Sequence, residues 1–192
     1  IQIAASISKS DLCSDLVGEY PELQGVMGKY FALSQGFEED VANSISDHYL
    51  PTGLTSELPK KPFSYSISIV DKIDTLVGFF VINEKPSSSK DPFALRRSAI
   101  GLLRIIIENK LTLKLRELIR YAIRLYEEQG VQIQNEKTEQ EVLHFTKERM
   151  RNILKLKNLK IDIIEAAISS HVGDNFLDLY RKTILMNKYK NK

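Results

Sequence analysis

The sequence is short of several things, and each shortage excludes a class of protein. It has one cysteine, Cys13, in 192 residues. A single thiol excludes an intramolecular disulfide and fits a reducing, cytoplasmic setting. No apolar run approaches the ~18 residues of a membrane-crossing helix, and no stretch has the pattern of a signal peptide. The three histidines, His48, His144 and His171, lie far apart without a second ligand type at metal-binding spacing. Each reads as a surface or helix-end residue, and no metal ligands are expected. Nucleophilic catalysis finds no support either. Cys13 lies between Asp11 and Asp15, an acidic neighbourhood that disfavours a reactive thiolate. No serine occupies a nucleophile-elbow motif. PSSSKDP, residues 86–92, lacks the glycines whose backbone amides cradle phosphate in a P-loop. No catalytic residue is expected, and no internal repeat is evident.

What the chain does contain is ordinary for a soluble globular protein: 43% hydrophobic and 27% charged residues. A chain of this length buries roughly 70% of its unfolded surface on folding. The opening IQIAASIS has no initiator Met and already follows an apolar pattern, which predicts a fragment boundary. The net charge of +2 hides an asymmetry. Residues 1–89 hold 6 Lys/Arg against 12 Asp/Glu, whereas residues 90–192 hold 21 against 13. A basic half joined to an acidic half suits a polyanionic partner, and it equally suits lysine-decorated, solvated helix faces.

Periodicity reads as all-α throughout. A helix is predicted over 2–17, with Ile3, Ile7, Leu12 and Leu16 on one face. Pro21 opens a second through Leu33, with Leu23, Val26, Met27, Tyr30 and Phe31 as its buried stripe. Gly25 and Gly28, three apart on that helix, predict close approach of another backbone. Further helices are predicted over 38–49 and 64–80, separated by a proline-rich loop. In PSSSKDPFALRRSAIGLLRII, residues 86–106, Asp91 is a candidate N-cap and Pro92 a candidate first helical residue. That helix runs to about Asn109, and the next covers 113–128. Thr138 and Glu141 have the spacing of a capping box at the start of a helix over 138–156. Short helices follow at 161–169 and 175–187, and the tail KYKNK reads as frayed.

Arginines and lysines form three groups. The first is Lys90, Arg96, Arg97 and Arg104; the second is Arg116, Arg120 and Arg124. The third is Lys147, Arg149, Arg151, Lys155 and Lys157. Guanidinium suits phosphate because its planar fork donates two parallel hydrogen bonds and stays charged. The competing reading is ion pairing on helix surfaces: Glu117 with Arg120 or Arg124, Glu148 with Arg151, and Arg96 or Arg97 with Asp71 or Asp74.

Four blocks carry a resemblance. They are DLVGEYPELQGVMGKYFAL (15–33), DHYLP (47–51), DKIDTLVGFF (71–80) and the 86–106 stretch. In this order they resemble the β subunit of bacterial heterotetrameric glycyl-tRNA synthetase. The likeness is dense from Ala4 to Ile106 and continuous, though weaker, to the end. It implies an internal piece of a longer subunit with three parts: an HD-like helical domain over 1–85, basic connecting helices over 86–134, and the truncated start of a helical anticodon-binding region over 135–192. Active HD domains hold a metal through a His-Asp pair, a further His and a later Asp. Ser10-Asp11 stands where the pair would fall, and Asp71 matches the later Asp, so the set is incomplete. The resemblance also implies partners and cofactors. The partners are tRNA for glycine and an α subunit in an α2β2 assembly. ATP and Mg²⁺ are used by the whole enzyme and are not bound by this piece, because the aminoacylation site belongs to the α subunit. From the three basic groups the expected tRNA-binding residues are Lys90, Arg96, Arg97, Arg104, Arg116, Arg120, Arg124, Arg149 and Arg151, of which Arg96 and Arg97 match a block of the resemblance. Two other readings stay open: an HD-type metal-dependent phosphohydrolase, and a purely structural helical module.

Overall fold

A computed structural model describes residues 1–190. Its described residues form ten α-helices and no strand. In order these are α1 (Gln2–Ile7), α2 (Asp15–Glu19), α3 (Val26–Ser34), α4 (Glu39–Asp47), α5 (Pro62–Val81), α6 (Leu95–Glu108), α7 (Leu115–Glu128), α8 (Thr138–Leu156), α9 (Ile161–Ser170) and α10 (Phe176–Lys190). The chain divides into two compact units, Ile1–Asp71 and Lys72–Lys192, so α5 contributes 62–71 to the first and 72–81 to the second. The charge asymmetry follows the same division: 4 Lys/Arg against 10 Asp/Glu in the first unit, 23 against 15 in the second.

In the first unit, α3 and α1 pack on α4. The single helix predicted over 2–17 is instead α1, a 3₁₀ turn at Ser10–Cys13, and α2. Asp11 causes the break. Its carboxylate turns inward, and Oδ2 accepts from the amides of Gly25 (2.6 Å) and Gly28 (3.1 Å). Ser14 then starts α2, its hydroxyl accepting from the Val17 amide. Accordingly Ala4, Ser8, Asp11 and Val17 are buried, while Ile3, Leu12 and Leu16 are exposed.

The second predicted helix is also divided. Gly25, at φ 79°, separates a 3₁₀ turn at Pro21–Leu23 from α3. The buried face of α3 is Gly28 and Ala32; Val26 and Tyr30, expected inside, are exposed. Small residues let α4 approach closely. A β-carbon on Gly28 would lie 2.7 Å from Ile45 Cγ2 and 3.1 Å from the Asp11 carboxylate. The close approach expected of another backbone is made mainly by side chains, Ile45 and Asp11 at Gly28 and Tyr49 at Gly25, with backbone near only at Gly25, where Ser46 Cα would lie 3.5 Å away.

The second unit is built on α6, whose Leu95, Ala99, Leu102, Leu103, Ile105 and Ile106 are buried. Helices α8 and α10 pack on α6, α7 packs on α8, and α9 packs on both α8 and α10. The helix start expected at Pro92 lies three residues later. Residues 91–94 form a turn closed by the Ala94 amide on the Asp91 carbonyl, with Ala94 at φ 53°. Asp91 still caps, reaching forward so that its carboxylate accepts from the amides of Leu95 (2.9 Å) and Arg96 (3.0 Å). No capping box forms at α8. The Thr138 hydroxyl donates to the carbonyl of Asn135, and Glu141 is held by Asn135 and Lys85. Of the tail expected to fray, Lys188 to Lys190 continue α10, where Lys190 pairs with Asp162. Residues 191 and 192 lie outside the described residues.

Candidate nucleic-acid interface

The structure sorts the nine expected RNA-binding residues by what they touch. On α7 and α8, most are spent on carboxylates. Glu139 of α8 receives Arg116 and Arg120, the latter by Nε at 2.6 Å. Arg124 pairs with Glu128 at 3.6 Å and lies 5.0 Å from the Tyr121 ring centroid. Arg151 joins Glu148 to Glu165, with 2.7 and 2.8 Å bonds to the latter. These contacts leave their mark on ionisation. Arg120 first, then Arg116, holds the Glu139 carboxyl below its usual range, and Arg151 does the same to Glu165. Glu117, expected to pair with Arg120 or Arg124, pairs with Lys114 instead.

The first basic group differs. Lys90 and Arg97 are exposed and make no ion pair among the described residues. Arg104 is half-buried on α6, and burial weakens its hold on its proton, partly offset by Glu108. Arg96 does not reach Asp71 or Asp74. It donates to the carbonyls of Ser87 and Ser88, with Asp91 3.9 Å away. Asp71 pairs with Lys9, and Asp74 accepts from the Tyr126 hydroxyl at 2.9 Å.

Arg96 and Arg149 meet at one place, a cleft of about 600 Å³ between the 85–88 loop, the start of α6 and one face of α8. Its walls include Lys85, Ser87, Arg96, His144, Phe145 and Arg149. The Arg149 guanidinium lies over the Phe145 ring, 4.8 Å from its centroid, and Phe80 packs on Phe145 at 5.4 Å. Burial, and then the Arg96 charge, pull the Arg149 pKa down. Lys85, His144 and Phe145 were not among the sequence candidates. The signal that could have found them is helical spacing, because Gln140, His144, Phe145, Glu148 and Arg149 share one side of α8.

Among the described residues, no three His, Cys, Asp or Glu side chains are grouped so as to hold a metal. Asp11 is engaged by two backbone amides and Asp71 by Lys9. His48 and His171 both end helices, α4 and α9, and His144 is exposed on α8. No helix is long and apolar enough to cross a membrane.

Comparison with known proteins bears on what this basic helical unit belongs to. The family model for the glycyl-tRNA synthetase beta subunit matches residues 1–169. The chain belongs to the glycyl-tRNA synthetase beta subunit family. It is 43% identical over 172 residues to the glycine–tRNA ligase beta subunit of Rickettsia canadensis (strain McKiel), covering 90% of this chain and 25% of the relative. The beta subunit of Colwellia psychrerythraea (strain 34H) is 44% identical over 166 residues, 86% of this chain and 24% of that protein. That of Clostridioides difficile (strain 630) is 36% identical over 189 residues, 98% of this chain and 27% of the relative. The chain thus spans about a quarter of the length of the curated relatives it matches.

Proposed function

We propose that this chain is a tRNA-contacting and scaffolding piece of a glycine–tRNA ligase, the enzyme that attaches glycine to its tRNA using ATP. In this reading the α subunit partner, in an α2β2 assembly, carries the aminoacylation site and uses the ATP and Mg²⁺. The whole enzyme works in the cytoplasm. The 135–192 segment leads toward an anticodon-binding region.

The observation that supports this reading is the uneven commitment of the arginines. Lys90 and Arg97 are exposed without an ion-pair partner among the described residues, whereas Arg116, Arg120, Arg124 and Arg151 each hold a carboxylate. A phosphate reaching the paired group must displace a glutamate. One reaching Lys90 or Arg97 displaces only water and small counterions, which is the source of salt-dependent binding. Lys90 and Arg97 therefore lead the contact, and the paired arginines chiefly hold α7, α8 and α9 in register.

The test is a titration of this chain into labelled glycine tRNA and an unrelated tRNA at ~50 and ~200 mM salt, where several neutralised phosphates cost orders of magnitude in affinity. Steeply salt-sensitive binding is the expected result. Absence of binding at both salts would return the arginines to a structural role. The phosphohydrolase reading is disfavoured by the engagement of Asp11 Oδ2 with two backbone amides and of Asp71 with Lys9.

A further inference from the structure

The cleft between α6 and α8 has a feature that an ion-paired helix surface does not need. Arg149 makes no ion pair among the described residues, and its Nε is buried without a hydrogen-bond partner among them. A buried, unpaired N–H is costly, and more so when it belongs to a charged group. The side chain is nevertheless held in place by its stacking on Phe145. Arg96 is likewise fixed at the cleft wall by the Ser87 carbonyl. Two guanidiniums are thus held near enough for the charge of one to disfavour that of the other.

The carboxylates in the wall do not resolve this. Glu141 is taken by Lys85 at 2.6 Å and by Asn135 at 2.8 Å, and Glu148 is taken by Arg151. Asp91 spends its oxygens on the amides that start α6. Lys85, Arg96 and Arg149 against Glu141 and Glu148 leave the lining one positive charge in excess.

We propose that this cleft is a specific site for a phosphate group, received by the fork of Arg149 with Arg96 beside it. An oxyanion received by the Arg149 guanidinium neutralises two like charges that the fold holds together. The fork geometry favours a phosphate or carboxylate oxygen pair. The phosphate can come from an RNA strand or from a small phosphate-bearing molecule; only the first source rests on the RNA reading above.

The experiment uses inorganic phosphate as probe. The melting temperature of the chain is measured in phosphate and in chloride at matched ionic strength. Four variants accompany the wild type: Arg149→Gln, Arg149→Lys, Arg96→Gln and, remote from the cleft, Lys188→Gln. The expected result is a phosphate-specific rise in wild type and Lys188→Gln that is lost in Arg149→Gln and reduced in Arg149→Lys and Arg96→Gln. Arg149→Lys keeps charge and packing on Phe145, so it separates loss of the fork from loss of folding. A rise absent from wild type, or surviving in both Arg149→Gln and Arg96→Gln, overturns the proposal. A second arm measures the salt slope of tRNA binding. A decrease of about one in Arg149→Gln marks a strand phosphate. An unchanged slope with the phosphate-specific rise intact supports the site with a small-molecule source. If tRNA does not bind at all, the RNA reading fails while the melting arm still decides the cleft.

Discussion

Asp11 shows how one side chain can redirect a helix. It is buried, joins two amides of the Gly25–Gly28 turn through Oδ2, and leaves Oδ1 without a hydrogen bond among the described residues. Asp11→Ala orphans both amides and should cost about 1–3 kcal/mol in urea unfolding. Asp11→Asn keeps an acceptor for them and replaces the unpaired oxygen with a donor, so its cost should stay below about 1 kcal/mol. A large loss from Asp11→Asn would indicate a role that the turn does not explain. His171 gives the pH counterpart. Burial first, and Lys147 and Lys182 next, lower its pKa. The unfolded chain therefore binds the proton more readily. The neutral ring's contribution is complete above the ordinary pKa of about 6.5 and is lost as pH falls from there through the lowered folded value. The melting temperature should fall on acidification from pH 7.5, and His171→Gln should flatten that part of the profile.

At the scale of elements, α7 is tied to α8 through one carboxylate shared by two arginines. Glu139 is mostly shielded, whereas Arg120 is 62% exposed, so screening limits the worth of the pair. Glu139→Gln should cost no more than about 1 kcal/mol at low salt and less at high salt. The wild-type contribution is present above the usual carboxylate pKa of about 4.3 and disappears as pH falls through the depressed folded value. Denaturant curves at pH 7 and pH 3 check this: the two proteins should differ at pH 7 and converge at pH 3. Element boundaries were partly legible in the sequence. Helix α5, expected over 64–80, spans Pro62–Val81, and Ile67, Ile73, Leu76, Val77 and Phe80 are buried at helical spacing. The buried side of α3 was not legible. There the core contact is made by Gly28 and Ala32, and hydrophobic periodicity gives small residues little weight.

At the scale of the whole molecule, the charge asymmetry recognised in composition between 1–89 and 90–192 persists between the two compact units, although residues 72–89 belong to the second. Within the complete ligase, replacing Arg96 and Arg97 together by Ala should raise KM for tRNA and leave glycine-dependent adenylate formation intact. Steady-state aminoacylation and pyrophosphate exchange measure the two activities. Equal loss of both would assign these arginines to folding. The cleft was only half legible. Arg96 and Arg149 were candidates by type, and the only local signal separating Arg149 from Arg151, two residues away on the same helix, is the Glu148–Arg151 spacing. Their difference is that Glu165 of α9 reaches one and no carboxylate reaches the other among the described residues.

The sequence by itself determined the family, the helical class and the division of charge, because residue order, four-residue periodicity and composition are local properties of a chain. Tertiary structure decided which basic groups are satisfied. The partners of Arg151, Arg116 and the Arg116 amide come from 14, 23 and 58 residues away. Electrostatic attraction acts through space, so the arginines left for a phosphate are identified only once the helices have packed.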